Sequence, residues 1–155
     1  MLDSSTEENI VTIAENIKNL MMDSGFDVPF FEMVLKRLDS FGYAAGSCDE
    51  WPVAFATQKV RDQILAECNL LEIPEELNTS VVDMVCGEFL FAKKQTGQLE
   101  LGGIDLDSAV TSIKAGDTQV NFASSGSDEA RFMQLLDYLL NHGRRNLLCY
   151  RRMRW

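Results

Sequence analysis

The stretch Ile73-Pro74-Glu75-Glu76-Leu77-Asn78-Thr79-Ser80-Val81-Val82-Asp83-Met84-Val85-Cys86-Gly87-Glu88-Phe89-Leu90 decides the fold class. Pro74 and two glutamates precede a run in which Val81, Val82, Val85, Cys86, Phe89 and Leu90 recur every three or four residues. Proline suits a helix's first turn because the N–H it lacks would go unpaired there, and carboxylates suit it because they face the positive end of the peptide dipoles. Apolar side chains at that spacing line up on one face of an α-helix. The stretch therefore predicts a helix ending near Gly97, with a face that other helices must cover.

Working outward, the same grammar recurs. Asp49-Glu50-Trp51-Pro52 opens a helix reaching about residue 69, with Phe55, Val60, Ile64, Leu65 and Cys68 as its apolar positions. Pro29 opens another, with Phe30, Phe31, Val34, Leu35 and Leu38 as its stripe and Gly42 as its stop. Ser5 and Glu8 read as a capping box for a first helix of about 6–23, carrying Ile10, Ile13, Ile17, Leu20 and Met21. Downstream, Ser127-Asp128-Glu129 caps a last helix through Phe132, Leu135, Leu136, Leu139 and Leu140, with Asn141-His142-Gly143 as its C-terminal stop. Between these last two helices lie two β-prone runs around Lys114-Ala115-Gly116-Asp117, where Gly116 suits a tight turn. They predict a hairpin at 109–122 through Val110, Ile113, Lys114, Gly116, Asp117, Val120 and Phe122. The expected fold is mainly α: a small bundle of about five helices, a β-hairpin inserted between the last two, and an extended C-terminal tail. Residues 1–143 form the helical domain and 144–155 the tail.

The 155 residues suffice for one domain with a real core, and the net charge is -10. Residues 1–91 hold 17 acids and 5 bases, whereas residues 143–155 hold 5 arginines and no acid. An acidic body opposes non-specific attraction to nucleic acid, which needs clustered lysine and arginine. Cys48, Cys68, Cys86 and Cys149 show no CxxC spacing, and the single histidine, His142, has no acid or cysteine at ligand spacing. Neither a phosphate-binding glycine loop nor a dinucleotide fingerprint is present. No catalytic, cofactor-binding or metal-ligating residue is expected, and the chain reads as a non-enzyme. Paired acids such as Asp49/Glu50 and Glu75/Glu76 read as helix-start residues. The acidic N-terminus is the wrong sign for a signal peptide, and no apolar run is long enough for a membrane span, so a cytosolic protein without membrane contact is expected.

The tail is the sharpest feature. Arg144, Arg145, Leu147, Leu148, Tyr150, Arg151, Arg152, Met153, Arg154 and Trp155 combine the residue types that dominate binding hot spots. A large apolar side chain left in water forgoes about 1.5–3 kcal/mol. The tail therefore reads as a docking element for another subunit or partner with an acidic surface, and the hairpin either as folded against its own helices or as projecting to pair with a neighbouring chain.

Taken in order, the Val85-Cys86-Gly87-Glu88-Phe89-Leu90 segment, Ser112-Ile113-Lys114-Ala115-Gly116-Asp117-Thr118-Gln119-Val120, a helix, and the terminal Tyr150-Arg151-Arg152-Met153-Arg154-Trp155 resemble the head–tail connector (adaptor) proteins of long-tailed bacteriophages and prophages. The resemblance covers nearly the whole chain. It implies a homo-oligomeric ring of about twelve copies below the portal protein, closed by a head-to-tail interface. Such a ring extends the channel for double-stranded DNA without sequence-specific binding and offers a platform to the next neck or tail-completion protein. It places the chain in the virion neck, and in the host cytoplasm during assembly. Lumen-facing carboxylates, on the first helix or the hairpin loop, would repel DNA phosphate and let the duplex slide. Two other readings stand beside it: a non-viral helical adaptor binding one cellular protein through the tail, and a small nucleic-acid-binding regulator using the arginines.

Overall fold

The computed structural model describes residues 3–22, 24–107, 109 and 126–153. Its long helices are α1 (Ser4–Leu20), α2 (Val28–Ser40), α3 (Glu50–Cys68), α4 (Asn78–Gln95) and α5 (Asp128–Asn141), followed by a short α6 (Arg144–Leu148). The chain is mainly α, and no strand occurs among the described residues. The hairpin expected at 109–122, with Val110, Ile113, Lys114, Gly116, Asp117, Val120 and Phe122, lies outside the described residues except for Ala109, which is helical and buried.

Two of the helices start on side-chain caps. The Asp27 carboxylate accepts the Phe30 N–H at 3.0 Å, with Pro29 in the first turn of α2. Ser127 caps α5 by accepting the Ala130 N–H at 3.3 Å. The capping box expected from Ser5 and Glu8 is not formed: α1 begins two residues earlier than read, with Asp3 at the cap and no side-chain cap bond. Asn69 ends α3 in the left-handed conformation (φ 53°), which asparagine tolerates better than most residues.

The core runs through all five long helices. Phe30, Phe31, Phe41, Phe89 and Phe132 are fully buried together with Ile17, Leu38, Ile64, Leu77, Leu90 and Leu135. α4 is the central element, contacting α2, α3 and α5, while α1 packs on α2 and α3. Gly87 explains how closely α5 approaches α4. A Cβ there would lie 3.0 Å from Leu139 and Leu140 side-chain atoms, so those leucines would have to give by a few tenths of an ångström to admit any side chain.

The C-terminal region departs from expectation. Residues 144–148 are helical rather than extended, and Leu147 is part of the core. α5 does end at Asn141, at the stop expected from Asn141-His142-Gly143, and Gly143 takes a right-handed φ of -76°. A Cβ on Gly143 would lie 2.7 Å from the Ser80 Cβ, so glycine lets the chain turn tightly over the start of α4 and lay α6 against α3.

Candidate partner interface

α3 carries the two features that matter, one at each end. With about 1.5 Å per residue, its 19 residues separate these ends by about 27 Å.

At the N-terminal end, Asp49 does more than favour the helix start. It is buried, and Lys93 Nζ near the end of α4 donates to it at 2.7 Å. The Tyr43 hydroxyl lies 3.1 Å from both carboxylate oxygens, and the Gly46 N–H donates at 3.0 Å. Lys93 also bonds Gln98 Oε1 at 3.1 Å and sits 5.6 Å from the centre of the Phe89 ring, against which Tyr43 packs edge-on. Burial first, then the Asp49 charge and hydrogen bond, push the Tyr43 phenol well above its ordinary value of 10.0, so it stays a neutral donor. The sequence reading of Asp49 as a helix-start acid missed this network, because Lys93 is 44 positions away and nothing local signals the pairing.

The outer face of the same end is aromatic. Trp51 is 65% exposed and Phe55 is 62% exposed, one helical turn apart. Val60, Ile64 and Cys68 are buried as their spacing predicts, but Phe55 is not, and Val53, Ala54 and Ala56 extend the buried face instead. The Asp49–Lys93 and Lys59–Glu88 pairs join α3 and α4 in an antiparallel arrangement.

At the C-terminal end, the expected docking residues divide into anchored and open sets. Leu147 is buried, and its carbonyl accepts the Cys68 thiol at 3.5 Å. Tyr150 packs half-buried on the core. The Arg152 N–H donates to the Cys68 carbonyl at 2.8 Å, so the chain is held to the end of α3 up to that point. Burial raises the Cys68 thiol pKa, with Glu67 adding to the shift and Arg151 opposing it.

The open set is Arg144, Arg145, Leu148, Arg151, Arg152 and Met153, of which Leu148 is 67% and Met153 79% exposed. Arg154 and Trp155 lie outside the described residues. Arg144 approaches Glu67 at 3.9 Å, a long contact between half-exposed groups. No ion pair joins Arg145, Arg151 or Arg152 to a described carboxylate within 4.0 Å.

His142 caps the end of α5 and stacks on Tyr138, with ring centres 4.5 Å apart. Among the described residues, no cluster of three or more histidine, cysteine or acidic side chains is placed to hold a metal ion. No described helix is long and apolar enough to cross a membrane. Comparisons of the chain with protein-family models, with curated proteins and with solved structures returned no match.

Proposed function

We propose that the chain is a head–tail connector of a tailed bacteriophage, with no catalytic role. It assembles as a ring below the portal protein, lengthens the DNA channel, and carries the next neck or tail-completion protein. The helical bundle supplies the wall of the ring. The end of the chain, from Arg144 onward, anchors to the portal. The hairpin expected at 109–122 contacts neighbouring copies or the next ring. The acid-rich body suits a conduit through which a polyanion must slide.

The observation that carries this reading is the segment Tyr150-Arg151-Arg152-Met153-Arg154-Trp155, in which Arg151, Arg152 and Met153 stand uncovered beside the helical core. Exposed arginine beside an exposed large apolar side chain is what a protein interface needs before its partner arrives.

The test is co-sedimentation with portal rings from the same genome, using the full chain and a chain ending at Tyr150. The cut leaves Leu147 and Tyr150 in place, because both pack on the bundle. The full chain is expected to sediment with the portal, and the shortened chain to stay behind with unchanged helical circular dichroism. A full chain that remains in the supernatant at every portal concentration would falsify the connector reading.

A further inference from the structure

The end of α3 and the start of the C-terminal segment enclose a groove of about 380 Å³. Arg144, Arg145 and Arg151 line it beside Leu147, Leu148 and Glu67. This is a composite surface: Glu67 and Cys68 come from α3, and the rest from α6 and the turn after it. Its shape is held by the buried Leu147 and by the Arg152–Cys68 backbone bond, so it exists before any partner binds.

We infer that this groove is a preformed receptor for an acidic peptide segment carrying one large apolar side chain. The inference rests on the connector reading only in giving that segment to the portal. Two features of the groove argue for a peptide. Arg145 and Arg151 have no ion pair with a described carboxylate, so two guanidiniums face the groove able to take carboxylates in paired hydrogen bonds. Leu148 stands uncovered between them in sequence, and an apolar side chain from the partner would remove it from water. Nucleic acid fits less well. Its phosphates offer nothing to Leu148, they meet the Glu67 carboxylate on the rim, and the whole chain carries -10.

The experiment uses the full chain and three probes: a short peptide of glutamates around one leucine, the same peptide with serine for leucine, and a short DNA duplex. The leucine peptide is expected to bind, and the serine peptide to bind several-fold more weakly. Arg145→Ala and Arg151→Ala are each expected to weaken the leucine peptide by about tenfold. Leu148→Ser is expected to erase the preference for leucine over serine. Absence of peptide binding, or binding indifferent to all three substitutions, overturns the inference. So does a duplex that binds more tightly than the peptide through the same arginines with a steep salt dependence. Portal co-sedimentation is read in parallel. Portal binding by the full chain without peptide binding sinks the groove and leaves the connector standing; peptide binding without portal binding does the reverse.

Discussion

The two ends of α3 handle charge in opposite ways. At the N-terminal end, Asp49 and Lys93 are both buried, meet at 2.7 Å, and are surrounded by Tyr43, Gly46 and Gln98 as further hydrogen-bond partners. At the C-terminal end, Arg145 and Arg151 line an open groove beside an uncovered leucine. One helix joins the two, so helix propensity does not explain the contrast. A buried charge must be answered within the fold, because an isolated ion in a low-dielectric interior is strongly disfavoured. A charge on the rim of an apolar groove carries no such demand and is free to answer something else. The first arrangement holds the protein together, and the second is available to a partner.

The contrast is broken most forcefully at Asp49. Asp49→Ala leaves Lys93 buried without its counter-ion and is expected to cost about 3–5 kcal/mol of stability. The urea midpoint measures it, and pairing the change with Lys93→Met is expected to restore part of the loss. A single-variant cost below about 1 kcal/mol would mean that this end is no more closed than a surface ion pair.

Gly143→Ala is the intermediate case. Its Cβ would meet the Ser80 Cβ at 2.7 Å, so α6 must shift, at a cost of about 1–3 kcal/mol. Limited proteolysis is expected to cut within 144–153 faster than in the unaltered chain. Equal cutting rates would show that the seating of α6 on α3 does not depend on this close approach.

The smallest effect on stability is expected from Arg145→Ala combined with Arg151→Ala. Both residues are exposed and neither has a described ion-pair partner, so the thermal unfolding free energy should move by no more than about 0.5 kcal/mol. A loss of several kcal/mol would place these arginines with Asp49 and Lys93 as structural groups and end the distinction between the two ends.

Much of the bundle was legible because the long helices carry apolar stripes and most carry a start signal as well; α1 is the exception, since the capping box read from Ser5 and Glu8 does not form. Phe30, Phe31, Val34, Leu35 and Leu38 are all buried on α2 as their spacing demands. α3 was harder. It lies between α1 and α4, so its buried positions spread over a broad arc of small side chains, Val53, Ala54, Ala56 and Thr57 among them. Against such a background, hydrophobicity cannot tell that Trp51 and Phe55 point outward. The Asp49–Lys93 pair was invisible because it depends on two helix ends meeting in three dimensions. α6 was read as extended because a five-residue helix is too short to display a period, and only burial of Leu147 against α3 gives it a reason to form. The residue types of the C-terminal segment were legible, but their division into anchored Leu147 and Tyr150 and open Leu148 and Met153 required the packing.

Cys68 has one more consequence. Its thiol is covered by the same turn of chain whose carbonyl it reaches, whereas Cys149 in that turn is exposed. The two cysteines therefore differ in how they meet an alkylating reagent: one is modified at once, the other only as often as the covering segment lifts away. The slow rate is a built-in clock for that opening, and it would quicken or stall according to whether a bound partner pulls the segment off or clamps it down.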